Sequence, residues 1–318
     1  MRMPGAGLGD AQGRARNTVE TPSEGEAMTQ MTRREAVLAA GAAGVGALLH
    51  PGVGNAAATE RVVRNGRLKQ SVSRWCYGTI PLPDFCRAVA EMGLAGIDLL
   101  GEDDWPVVAD HGLVCTMGSG GGGTIAEGLN DPANHDAIVA GLTEMIPRAA
   151  RAGVPNVITM VGNRKPGIDD ARAQENCVAA LNRIKPVAEA EDVTVCVELL
   201  NSKVDHEGYQ GDHTSFVVDV LEAVDSPRVK ALYDIYHMQI MEGDVIRTIR
   251  DNAAWIGHYH TGGVPGRHDL DDTQELNWPA ICRAIVDTGF TGYLAHEFVP
   301  TRRDPLDSLR DAVARCDV

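Results

Sequence analysis

The chain has 318 residues, 44% hydrophobic and 23% charged, with four Phe and four Trp; this is a globular composition, long enough for one large domain or two small ones. Its formal charge of −15 arises entirely after residue 58, where 24 basic side chains stand against 39 acidic ones with no Lys/Arg cluster among them. So negative a surface repels phosphate backbones, and no nucleic-acid partner is expected.

The first elements in chain order are an address rather than a fold. Residues 1–27 are polar, Gly-rich and aperiodic, which predicts a disordered leader. Thr32-Arg33-Arg34-Glu35 then opens an uncharged Ala/Gly-rich run from Ala36 to Leu49, followed by His50-Pro51 and Ala56-Ala57-Ala58. Charged region, short apolar region and small-residue site are the order of a signal peptide, and the Arg pair marks the twin-arginine route. A membrane span needs roughly 20 apolar residues, so this run predicts no stable span. Residues 1–58 are therefore expected to engage the twin-arginine export machinery and to be cleaved near Ala58, which places the remainder in the periplasm or outside the cell. That route carries proteins already folded, which suits the seven cysteines: Cys76, Cys86, Cys115, Cys177, Cys196, Cys282 and Cys316 form no Cys-x-x-Cys pair and read as buried thiols.

Residues 59–318 form the predicted domain, and from about residue 70 short apolar runs alternate with amphipathic ones of helical length, the pattern of βα units around a parallel sheet. Strands are predicted near 72–79, 96–100, 113–117, 156–161, 193–199, 230–235, 256–261 and 292–298. Helices are predicted near 83–92, 104–111, 134–151, 170–190, 214–225, 243–252, 278–288 and 305–316. Gly93, Gly112, Gly153 and Gly289 sit just past helical segments, where a left-handed residue ends a helix, and Pro83 and Pro279 sit near helix starts. Eight such units in this length predict a single α/β domain, a (β/α)₈ TIM barrel. A doubly wound sheet would carry a Gly-rich turn after its first strand, and Gly78-Thr79-Ile80-Pro81 is not one.

Four of the later segments end on polar groups. Val193 to Glu198 ends on a carboxylate; Tyr233-Asp234-Ile235-Tyr236-His237 places another at a strand end, with a helical segment following at once; Ile256 to His260 ends on an imidazole; Gly292 to Glu297 ends on Glu. Strand ends are where such barrels keep their chemistry. Period-two alternation puts Thr194, Cys196 and Glu198 on one face, and Tyr293, Ala295 and Glu297 on one face; His260 lies nearer the mouth than His258. Glu198, Asp234, His260 and Glu297 are thus a candidate ligand set for one divalent metal. Three carboxylates with one imidazole suit Mg²⁺ or Mn²⁺, and Zn²⁺ uses the same groups. Gly118 to Gly123 lacks the Lys-Ser/Thr of a phosphate loop and reads as a flexible loop at the mouth.

Three stretches then resemble the xylose-isomerase-like barrels, and within them the hydroxypyruvate isomerases. They are Glu198-Leu199-Leu200-Asn201-Ser202-Lys203-Val204-Asp205, Tyr233 to Gly243, and Gly263-Val264-Pro265-Gly266-Arg267 with Glu275-Leu276-Asn277-Trp278. The resemblance implies that the four ligands bind the metal, that Glu198 and Glu297 are also the acid/base pair, and that His237 and Arg267 face the substrate. It implies an isomerase of a small sugar or hydroxy-keto acid, working through an enediolate; a homo-oligomer is compatible with it. Two departures bear on the substrate: His260 stands where hydroxypyruvate isomerases carry Gln and ketose 3-epimerases carry His, and Leu199 replaces a Pro. A ketose 3-epimerase or keto-sugar/glycoside-processing enzyme is the alternative, and an exported binding protein the non-enzymatic one.

Overall fold

The computed structural model describes residues 61–318, so the leader and export signal expected in 1–58 lie outside the described residues. Eight parallel strands close in sequence order into a barrel: β1 Lys69–Ser73, β2 Gly96–Leu100, β3 Val114–Gly118, β4 Asn156–Met160, β5 Thr194–Glu198, β6 Val229–Asp234, β7 Ile256–Thr261 and β8 Tyr293–His296. Around them run α1 Leu82–Met92, α2 Trp105–Asp110, α3 His135–Ala152, α4 Asp170–Glu191, α5 Thr214–Val224, α6 Ile235–Met241, α7 Val245–Asp251, α8 Trp278–Asp287 and α9 Pro305–Cys316. The four glycines expected past helix ends all have left-handed backbone, with φ of 91, 72, 73 and 79° at Gly93, Gly112, Gly153 and Gly289. Pro83 and Pro279 occupy first turns, where no N–H is needed. All seven cysteines are free.

Three elements differ from the reading of the sequence. β1 lies earlier than predicted and ends at Ser73, because Arg74–Tyr77 turns as a 3₁₀ helix. The Arg74 guanidinium fixes that turn, donating to Tyr77 O at 2.5 Å and to Ile80 O at 2.7 Å. The aromatic run that reads as strand is therefore a loop. β8 stops at His296, and Glu297 lies just beyond it. The helix predicted near 243–252 is α7 alone; α6 is a separate helix, parted from it by Gly243 and Asp244 at φ of 67 and 48°.

The main core lies between strands and helices, where Val157, Val195, Val197 and Tyr233 pack outward on residues such as Ile146, Ile184 and Leu221. A smaller cluster, Met117, Ile158, Cys196 and Leu232, comes from the alternate faces of β3–β6. Beside it lies a polar group from β1, β2, β3 and β7: Ser71, Asp98, Thr116, His258 and His260 are all fully buried.

One buried group outside this layer gives the fold a measurable acid sensitivity. His296 pairs through Nε2 with Gln70 Oε1 at 2.8 Å, and Gln70 in turn donates to Val313 O of α9. Burial pushes the imidazole pKa down to about 3. Unfolded histidine takes up its proton near about 6.5, so between about 6.5 and about 3 the unfolded chain binds the extra proton and stability falls with pH, by up to about 1.4 kcal/mol per unit. His296→Gln is expected to remove one proton's worth of that slope from urea unfolding measured across this window. An unchanged slope would mean that His296 is protonated in the folded protein.

Candidate metal centre and its cavity

β5 ends on Glu198, and the buried Tyr209 hydroxyl fixes that end by donating to the Glu198 carbonyl at 2.9 Å. β6 ends on Asp234, which also caps α6: its Oδ1 accepts the His237 N–H at 3.2 Å, while Oδ2 faces Arg267 and His260. Asp234 and His260 are register partners on β6 and β7. Glu297 is placed by its own N–H, which donates to Thr261 O at 3.0 Å. One ligand atom from each of Glu198, Asp234, His260 and Glu297 lies within 4.8 Å of the others, and all four residues are buried. The structure thus brings the sequence-derived quartet together.

His260 provides the test of whether these groups fit a cation. Its Nε2 pairs with Asp98 Oδ2 at 2.8 Å, which holds a proton on Nε2 and turns Nδ1 into the quartet. Nδ1 has no hydrogen-bond partner of acceptable geometry, although Glu297 Oε2 and Glu198 Oε1 stand 2.6 and 3.5 Å away. A buried ring nitrogen aimed at three carboxylates, once a cation displaces its proton, completes a donor set for a divalent ion. Asp98 is itself held from the far side by Thr116 Oγ1, which donates to Oδ1 at 2.5 Å, with His258 Nε2 3.2 Å from the same oxygen.

Charge at the mouth is unevenly balanced. Burial foremost pushes Asp234 up to about 7, with Glu297 and Glu198 adding to it and Arg267 opposing. Burial would raise Glu297 as well, but Arg267 and His260 outweigh it and hold that carboxyl well below the usual range. Burial opposes charge on His260, yet Glu297, Asp98 and Glu198 outweigh it and keep the imidazole well above its ordinary pKa. Arg267 is the fixed cation: its Nη2 lies 2.7 Å from Glu297 Oε2 and 3.1 Å from Asp234 Oδ2. The guanidinium packs against the Trp75 and Tyr236 rings at 5.4 and 5.3 Å to their centroids.

A cavity of about 440 Å³ opens over Glu198, Glu297 and Arg267, and the Gly118–Gly123 loop forms part of its rim. A hollow of about 470 Å³ at the opposite end of the strands, around Lys69 and Lys230, contains none of these residues. Of the two residues expected to face substrate, Arg267 lines the cavity. His237 does not; it is fully buried beneath. Asn201 Nδ2 donates to its Nδ1 at 2.7 Å, so Nε2 carries the proton, 3.6 Å from Asp234 Oδ2 and without a hydrogen-bond partner. Burial and Arg267 hold this imidazole well below its ordinary pKa.

Three residues at the site escaped the reading of the sequence. His206 lines the cavity, its ring 5.2 Å from that of His237. Trp75 donates its indole N–H to Glu297 Oε1 at 2.5 Å, and lay hidden in what reads as a strand. Asp98 had a usable signal, a lone carboxylate inside the apolar run Gly96-Ile97-Asp98-Leu99-Leu100.

Residues 86–316 match the family described as Xylose isomerase-like TIM barrel. A human protein described as "Putative hydroxypyruvate isomerase" is 28% identical over 182 residues, which is 56% of this chain and 65% of that protein. The 2-oxo-tetronate isomerase of Cupriavidus necator is 31% identical over 148 residues, 46% of this chain and 56% of its own. The chain thus spans 65% and 56% of the lengths of these two relatives. Among solved structures, the apo 3-keto-D-glucoside 4-epimerase of E. coli shares the fold with a TM-score of 0.65, at 20% identity, over 78% of this chain and 98% of that one.

The Asp98–His260 pair generates a test. Asp98→Asn retains the shape but not the charge, and is expected to weaken Mn²⁺ binding by roughly 10–100-fold, the usual effect of losing such an outer partner. Calorimetry beside circular dichroism separates this from unfolding; unchanged affinity would reduce Asp98 to a packing role.

Proposed function

Because the chain belongs to the xylose isomerase-like TIM barrel family, we propose that it is a divalent-metal-dependent isomerase, hydroxypyruvate isomerase-like, acting on a small polyhydroxy carbonyl compound. The observation that carries this is that Glu198 and Glu297 reach one cavity while sharing a ligand cluster with Asp234 and His260. Two carboxylates at one reacting centre can take a proton from a carbon beside a carbonyl and give one back.

In this reading one glutamate accepts the proton from the carbon next to the carbonyl. The C–H electron pair becomes the new C–C double bond, the carbonyl pair moves to oxygen, and an enediolate results. A protonated glutamate then returns a proton to the neighbouring carbon while the hydroxyl on the first carbon passes its proton to the former carbonyl oxygen, completing aldose–ketose interconversion. A divalent ion held by Glu198, Asp234, His260 and Glu297 (Mg²⁺ or Mn²⁺, with Zn²⁺ compatible with the same donors) would supply Lewis-acid stabilisation of the developing charge. Arg267, held between Trp75 and Tyr236, presents fixed positive charge to the substrate oxygens beside Glu297. His237, fully buried beneath Asp234 and outside the cavity lining, acts in this reading by setting its Nε2–H beside Asp234 Oδ2 and not by touching the substrate.

Epimerisation of a keto-sugar is the second reading. It needs the proton returned to the opposite face of the same carbon, which the same two glutamates can do, and His260 is the residue that the resemblance assigns to ketose 3-epimerases at this position.

Glu297→Gln is expected to lower kcat by about 10²–10⁴-fold, the range of a lost acid/base group. The readout is metal-dependent uptake of solvent deuterium beside the carbonyl of hydroxypyruvate and a panel of ketoses, with bound metal measured in parallel. Wild-type exchange that persists in the variant would sink the two-glutamate mechanism. We also propose that the chain is exported by the twin-arginine route. Expressed from residue 1 in a bacterium with that route, the protein should be recovered from the periplasm beginning near Thr59, and Arg33→Lys with Arg34→Lys should leave it in the cytoplasm. Recovery of the native form in the cytoplasm would refute export.

A further inference from the structure

The cavity above the metal centre has two chemically unlike sides. The charged side is Glu198, Glu297 and Arg267. The apolar lining is Leu99, Ile125, Ile158 and Met160 from β2 to β4 and the loop after β3, with Leu200 just past β5 and Trp75 after β1. Ile125 and Trp75 are two of the few large hydrophobic side chains left exposed among the described residues, at 37% and 49%. Exposed apolar groups concentrated in a concave site usually meet an apolar part of a ligand.

The same lining argues against a charged substrate. Arg267 is the one Lys or Arg among the described lining residues, and its Nη2 already meets both Asp234 and Glu297. Apart from a divalent ion held by the four ligands, a carboxylate or phosphate on the substrate would find only a guanidinium already shared by two carboxylates. Size points the same way: about 440 Å³ has room for about fifteen waters at roughly 30 Å³ each, far more than a three-carbon acid displaces.

We propose that the substrate is an uncharged keto-sugar bearing an apolar substituent, with the sugar at Glu198 and Glu297 and the substituent on the Leu99–Ile125–Met160 wall. The inference rests on the isomerase or epimerase reading only for which end reacts; the apolar subsite stands on the cavity itself.

Calorimetry on metal-loaded protein with phenyl and methyl 3-keto-β-D-glucosides and with hydroxypyruvate tests it directly. The phenyl compound is expected to bind about tenfold tighter than the methyl one, or more, as one buried hydrophobic group gives in a specificity pocket. Ile125→Asn should shrink that ratio several-fold. Equal binding of the two glucosides, a ratio that Ile125→Asn leaves intact, or tighter binding of hydroxypyruvate would each overturn the proposal. Deuterium exchange run on the same compounds separates the two claims. A phenyl preference in binding with no exchange on any compound would refute the isomerase reading and leave the apolar subsite standing.

Discussion

Charge compensation at the barrel mouth is the constraint to which the rest of the site answers. Glu198, Asp234 and Glu297 converge on one point, with Asp98 a layer below, all nearly or wholly shut off from water. Buried carboxylates without partners are costly enough to take up protons instead. The chain offers Arg267 and His260 against them. That is not enough: even with both cations in contact, burial still lifts Asp234 to about 7. The mouth has a place for one more positive charge, which a proton on Asp234 or a divalent ion can fill, and the two exclude each other.

The layer below explains how that charge is aimed. Ser71, Asp98 and Thr116 form a chain of hydroxyl and carboxylate contacts that ends at His260 Nε2. Because Asp98 fixes the proton on Nε2, the ring has only Nδ1 to give, and it points upward. The apolar packing of Met117, Ile158, Cys196 and Leu232 fills the remainder of the lumen. A barrel interior is normally a stack of branched apolar side chains. Here part of that stack has been given over to orienting one imidazole.

The barrel and the quartet were legible because both rest on short-range patterns. Alternation within β5, β7 and β8 decides which side chains point inward, and parallel register then decides that Asp234 meets His260. What could not be read were contacts set by turns. Trp75, Cys76 and Tyr77 have strand-like composition, yet the Arg74 side chain closes a 3₁₀ turn over them and sends Trp75 to Glu297. The inward position of Asp98 was open to the same alternation argument as Glu198, but its partner lies 162 residues away, and no local pattern announces such a pairing. His237 illustrates the opposite failure. Its place after the β6 carboxylate suggests a group facing substrate, whereas the first turn of α6 carries it beneath Asp234, out of the cavity lining.

The division of labour around the barrel follows chain order. Leu99, Ile125, Ile158 and Met160, from β2 to β4 and their loops, make the apolar wall; Glu198, Asp234, His260 and Glu297, from β5 to β8, make the charged one. Asp98 and Trp75 cross from the first half to the second, each through a hydrogen bond to a ligand residue. Side chains on the apolar wall can therefore change without disturbing the convergence of charges opposite, provided those two bonds survive. A fold arranged in this way can keep one proton-transfer centre while β2 to β4 and the loops after them decide what is brought to it.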